Sequence, residues 1–207
     1  MAILAPAEQS DGLGKPRPLD WPAALALLGG LAGVALYSIQ FWSRPSLLLD
    51  EVRLSLDIAG GSWLTLTHPL GFDQTAPLLF LWAEKLATLV GGVNEYSLHL
   101  LPYLASVALL PLMWRFAQRL IGRWGAALAV AITAVSPLLA QYARQAKPYS
   151  LDALAAVLVM LWALDALDAP DDPRPVRRLM VAGIVGVWLS TWTLWAVLGR
   201  RGVRSAR

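Results

Sequence analysis

The residues able to do chemistry are few and unevenly spread. The chain has no cysteine and only two histidines, His68 and His99. Disulfides and thiolate ligation are therefore excluded, and two separated imidazoles without an HxxxH spacing make no zinc centre. What remains is carboxylate and cation. Asp50 and Glu51 stand side by side, with Asp57 further along the same segment. Such carboxylates can act as general bases or offer oxygens to a hard cation. In the first turn of a helix they are also favoured by the dipole alone, facing water. The second group is Gln141-Tyr142-Ala143-Arg144-Gln145-Ala146-Lys147-Pro148-Tyr149-Ser150. Its Arg144 and Lys147 are of the kind that hold an oxyanion, or that snorkel to lipid headgroups.

These groups are set in a chain that needs lipid. It is 57% hydrophobic and 15% charged, with a mean hydropathy of +0.54, whereas ordinary soluble domains carry about 25% charged residues. Four stretches hold no Asp, Glu, Lys or Arg: Trp21 to Trp42, Ser97 to Trp114, Trp124 to Ala143 and Leu179 to Gly199. A fifth, Pro148 to Leu167, is interrupted only by Asp152 and Asp165. Each is near the roughly 20 residues a helix needs to cross the hydrocarbon. The expected fold is all-α, a polytopic membrane bundle of about five transmembrane helices. Its first helix opens on Asp20 as N-cap, ahead of Trp21 and Pro22. Gly29, Gly30 and Gly33 include a GxxxG spacing suited to close helix contact.

The longest interruption of the spanning pattern, the first outer loop at 43–96, is where function is to be sought. Ser46 to Ala59 reads as a short amphipathic helix, with Leu47, Leu48, Leu54 and Ile58 apolar and Asp50, Arg53 and Asp57 on another face; Gly60-Gly61 ends it. Thr75 to Gly92 reads as a second amphipathic helix lying in the interface. Glu84 and Lys85 fall in its middle, at a cost of roughly 2.5 to 3.5 kcal/mol each at the bilayer centre. With that helix flat, Lys15 and Arg17 share a side with Arg115, Arg119 and Arg123 and with Arg174, Arg177 and Arg178. The positive-inside rule then puts the N-terminus in the cytoplasm. Arg200, Arg201, Arg204 and Arg207 fall on the other side, against the rule, and the chain is read as truncated there. The basic residues sit in short loops rather than in a nucleic-acid-binding patch, so no nucleic acid partner is expected. Trp42, Trp63, Trp114, Trp124, Tyr142 and Tyr149 fit an aromatic belt.

The order of an N-terminal anchor, then LLLDEVRLSLDIAGGSWLTLTHPLGFDQTAPLLFLWAEKL, then an apolar helix ending in WRFAQRLIGRWGA, then AVSPLLAQYARQAKPYSLDAL resembles the N-terminal part of the GT-C superfamily of membrane glycosyltransferases. The branch is similar to protein O-mannosyltransferases and lipid A aminoarabinose transferases, and the resemblance covers about residues 20 to 170. It implies that Asp50, an acid opening a short helix just after the first span, is the catalytic base. The implied reaction moves a sugar from a polyprenyl-phosphate donor to a lipid, glycan or protein acceptor, in one displacement with inversion. A departing lipid-bound phosphate calls for cations near the interface, and Arg144 and Lys147 fill that role, with Lys147 where the family often has Arg. Glu51, Tyr149, Asp152 and His68 complete the implied substrate-binding set. Asp152 is a partner for Lys147, a pocket residue or a helix-start acid; His68 is a pocket-loop residue or a polar turn residue; Glu51 is a second acid, a metal ligand or a solvated neighbour. Where aminoarabinose transferases carry a Lys before the second loop helix, this chain has Asp73-Gln74-Thr75-Ala76-Pro77, which removes a phosphate contact there. No metal site is expected, although a divalent cation held by Asp50, Glu51 and Asp57 is left open.

The expected organisation is a disordered leader at 1–19, a GT-C-like transmembrane domain at 20–199 and a basic tail at 200–207. The expected location is the bacterial cytoplasmic membrane, among membrane lipids. The rival reading is a non-catalytic membrane module that binds or moves a lipid-linked substrate.

Overall fold

The computed structural model describes residues 20–43, 46–72 and 74–189. The leader at 1–19, the tail at 200–207 and the last part of the expected fifth span lie outside the described residues. The fold found is the expected all-α bundle. Three helices among the described residues are long and apolar enough to cross a membrane: α1 (Trp21–Trp42), α4 (Glu95–Val135) and α6 (Tyr149–Asp168).

The 41 residues of α4 are not one rod. Gly122 has φ 74° and ψ −177°, a conformation that a Cβ would strain, and it divides α4 into limbs 95–121 and 123–135. α1 shows how they run. Its C-terminal Phe41 stacks on Tyr103, 4.8 Å between centroids, and its Ser38 meets the Tyr103 hydroxyl at 2.9 Å, so the first limb runs against α1. Arg123, opening the second limb, pairs with Asp20 at the start of α1, and further up Tyr37 reaches Thr133; the second limb therefore runs with α1. α4 is thus a hairpin, and it contains the expected stretches Ser97 to Trp114 and most of Trp124 to Ala143.

The second stretch is broken at Ser136-Pro137, after which α5 (Pro137–Tyr142) starts afresh, its N-cap Ser136 accepting from the Leu139 N–H. Pro137 has no N–H to give the Thr133 carbonyl four residues back. The Tyr37 hydroxyl donates to that same oxygen at 2.8 Å, so a side chain of α1 replaces the missing backbone bond. The glycine stripe lets α1 come this close. A Cβ on Gly33 would stand 2.7 Å from the Ala134 Cβ, and one on Gly29 3.5 Å from the Ala131 Cα.

α6 runs back alongside the first limb, from Ser150, bonded to Ser106 at 2.9 Å, to Asp165, paired with Arg119. α7 (Pro173–Leu189) follows after a short turn and carries the start of the expected span Leu179 to Gly199. Arg119, Arg123 and the α6–α7 turn with Arg174 thus share one end of the bundle. The other end holds α2 (Leu49–Gly60), a 3-10 turn at Thr65–Thr67, α3 (Leu78–Gly91) and the link from α5 to α6.

α3 is 14 residues, about 21 Å of helix and short of a bilayer core. Its faces reverse the usual order. Phe80, Leu81, Glu84 and Thr88 are buried, while Leu86, Leu89 and Val90 are exposed. Glu84 therefore turns into the protein rather than staying on a solvated face. Lys85 donates to the Ile58 and Ala59 carbonyls at 2.9 and 3.1 Å, placing a cation on the unsatisfied C-terminal oxygens of α2. The expected cost of Glu84 and Lys85 in lipid does not arise, because neither side chain is turned to it.

Candidate functional site

The site begins with the first turn of α2. Leu48 is its N-cap and cannot cap by side chain; Glu51 at the third helical position reaches back, its Oε2 accepting the Leu48 N–H at 2.7 Å. Its Oε1 accepts the Ala146 N–H at 2.6 Å, across 95 residues of chain. Glu51, Leu54, Ser55 and Ile58 are the buried residues of α2, at the spacing of one helix face. Asp50, about 100° round the helix, is exposed and lies 3.9 Å from Arg53. Two adjacent acids thus have opposite environments. Only Asp50 is solvated; Glu51, read from sequence as a solvated neighbour, second acid or ligand, is 3% exposed, because it shares the face of Leu54 and Ile58.

Behind Glu51 stands His99, in the second turn of α4, 1% exposed, with Nε2 3.7 Å from Glu51 Oε1. Burial by itself would raise the Glu51 pKa. The neighbouring imidazole and the Leu48 and Ala146 N–H groups outweigh it, and the carboxyl is held below its ordinary value of 4.5.

The cationic side of the site is the link from α5 to α6. Its turns are closed by Arg144 N–H to Gln141 O at 3.2 Å and Lys147 N–H to Gln145 O at 2.7 Å. Ala143 and Ala146 are buried, which leaves Arg144 exposed and Lys147 half-buried. Glu51 and Arg144 line one polar cavity of about 310 Å³ with Ser46, Leu48, Gln141 and Gln145. Lys147 donates to Gln74 Oε1 at 2.7 Å. Burial lowers its pKa below 10.5, while the charges of Asp50 and Glu51 pull the other way. The lysine therefore feels Asp50 and Glu51.

The remaining expected residues are distributed around this centre. Tyr149 packs on Tyr142, 4.7 Å between centroids. Asp152 is buried in the first turn of α6, whose N-cap is Pro148. His68 is apart: it is exposed, with Nδ1 3.2 Å from the Leu64 carbonyl, and lies in a separate depression of about 360 Å³ beside Gln74. Asp57 accepts the Gly71 N–H at 3.0 Å. Among the described residues no three His, Asp or Glu converge on a metal position, so the trio Asp50, Glu51 and Asp57 does not form the cation site left open by the sequence. The reason is that Glu51 and Asp57 are turned to different backbone amides.

One exposed carboxylate, two cations and a polar cavity at one end of an apolar bundle can take a proton and hold an oxyanion. Residues 75–199 match the dolichyl-phosphate-mannose-protein mannosyltransferase family. The chain belongs to that family. It is a membrane glycosyltransferase of the GT-C type, acting with a lipid-linked sugar donor. The match runs from α3 through α7 and includes Arg144 and Lys147, whereas α1 and α2, with Asp50 and Glu51, precede it. No curated protein and no solved structure matches the chain.

Two residues of this mannosyltransferase-family site escape a reading by sequence. His99 sits in the apolar run Leu98-His99-Leu100-Leu101 with no motif around it, and only the fold brings it to Glu51. Gln74 had no assigned role. The Glu51 environment did leave a signal, since Glu51, Leu54, Ser55 and Ile58 keep helical spacing.

Proposed function

We propose that this chain carries the acceptor-base and phosphate-holding part of a transferase that moves a sugar from a polyprenyl-phosphate donor to a hydroxyl group of a lipid, glycan or protein. Asp50 takes the hydroxyl proton as the oxygen attacks the anomeric carbon. The bond from that carbon to the phosphate oxygen breaks on the opposite side, its electron pair leaves with the phosphate, and the anomeric centre is inverted. Arg144 and Lys147 take up the developing phosphate charge. Tyr149 and Asp152 border this centre, and His68 lines the adjoining depression beside Gln74. With the Arg-rich turns at the far end cytoplasmic, the site faces the outer side of a bacterial-type cytoplasmic membrane.

The observation that carries this reading is the coming together of Asp50, Glu51 and Lys147 within electrostatic reach of one another, beside the cavity that Arg144 lines. Among the described residues Asp50 alone of the three α2 acids accepts no backbone amide: Glu51 and Asp57 are both committed. The decisive experiment is Asp50→Asn in reconstituted membranes. Transfer should fall by about 10²- to 10⁴-fold with insertion and carrier-lipid binding unchanged; undiminished transfer removes Asp50 as base. Binding of the carrier lipid without turnover in the unmodified chain would favour the non-catalytic module.

A further inference from the structure

Among the described residues, one ring nitrogen of His99 is buried and unpaired. His99 Nε2 is sealed from solvent, without a hydrogen-bond partner among the described residues, and a carboxylate oxygen, Glu51 Oε1, stands 3.7 Å away. Leaving a buried ring nitrogen unpaired costs free energy, so its position calls for a physical reason. The Glu51 oxygen it faces is also the one that accepts the Ala146 N–H, and Ala146 lies between Arg144 and Lys147 in the chain.

We propose that His99 is a positioning residue for the phosphate-holding cations, acting through Glu51 on the backbone of the link from α5 to α6. This rests on the function proposed above and adds a residue that touches neither sugar nor phosphate. The first limb of α4 is the fixed reference. Ser97, Leu98 and Pro102 around His99 are buried, and Ser106 bonds to Ser150 at the start of α6. From that limb His99 presents its ring to Glu51. Glu51 joins the first turn of α2, through the Leu48 N–H, to the Ala146 N–H. Asp50 is carried by the first partner, and Arg144 and Lys147 flank the second. The imidazole fixes the carboxylate, and the carboxylate sets the separation of base and cations. Among the described residues Glu51 is the tie from α2 to Ala146, and without it the link is free to shift by the small distances that matter in a phosphate site.

The test uses the full chain in lipid nanodiscs, with two independent readouts: hydrogen exchange of the amides at 143–147, and binding of polyprenyl monophosphate. His99→Phe keeps a ring but presents no polar nitrogen to Glu51; His99→Gln keeps one. The Phe variant should exchange faster at 143–147 and bind the monophosphate about tenfold more weakly. The Gln variant should restore most of both, and Asp50→Asn should leave the exchange unchanged. Wild-type exchange and affinity in the Phe variant would overturn the proposal, as would faster exchange with unchanged affinity, which makes the contact purely structural. If His99→Phe does not insert, the Gln variant against Glu51→Ala decides: Gln close to wild type and Ala losing protection supports the clamp, and both alike sinks it. Failure of the unmodified chain to bind the monophosphate at all would instead fall on the proposed function, while exchange would still report on the His99–Glu51–Ala146 contact.

Discussion

The two ends of the bundle use charge differently. At the end with the Arg-rich turns, Arg123 pairs with Asp20 and Arg119 with Asp165, all with substantial exposure. At the other end, Glu51 is buried between two backbone amides and an imidazole, Lys85 covers the last carbonyls of α2, and Lys147 is drawn partly out of water. Exposed pairs are screened and worth little, whereas a buried charge must be satisfied or it penalises the fold. One end carries its charges in exposed pairs; the other is built around them.

The largest effect expected beyond Asp50 and His99 comes from Lys147. Lys147→Gln should weaken polyprenyl monophosphate binding by about 10- to 100-fold, read by titration into nanodiscs. Its pH profile sharpens the point. Because burial lowers the lysine pKa below 10.5, the cation is present at lower pH and is lost earlier than an ordinary lysine as pH rises. Affinity should therefore decline on the alkaline side before 10.5, and Lys147→Arg should abolish that decline. An unchanged profile would place Lys147 away from the phosphate.

A smaller effect, of opposite sign, is expected from Glu84. It is fully buried, and neither carboxyl oxygen has a hydrogen-bond partner among the described residues. Burial pushes its pKa up to about 9. The folded chain keeps a proton that the unfolded chain loses above 4.5, so stability falls as pH rises between these values. Glu84→Met should stabilise the chain at neutral pH by about 1 to 3 kcal/mol and flatten that slope in a thermal melt. Destabilisation would mean that Glu84 has a polar partner in the membrane. The smallest effect is expected at the far end: Asp165→Asn should cost less than about 1 kcal/mol and leave carrier-lipid binding unchanged. A large loss there would erase the contrast between the ends.

Hydropathy and punctuation in the sequence determined the bundle, because lipid imposes apolar runs of fixed length and proline and glycine interrupt them locally. Asp20 as a cap, the helix expected over 46–59 and found at 49–60, the close approach at Gly29 and Gly33, and the separate short helix expected over 75–92 and found at 78–91 were all legible for that reason. Asp50, Arg144 and Lys147 could be named from residue type and family resemblance. What the tertiary structure alone decided was direction and partnership. A helix pattern does not say which neighbour meets each face, so the inward turn of Glu84, the service of Tyr37 to the carbonyl orphaned by Pro137, and the burial of Glu51 against Ala146 and His99 depend on elements tens of residues away. Local sequence encodes a helix through contacts three and four residues apart; a site built from α2, α4 and the α5–α6 link exists only once packing has brought them together.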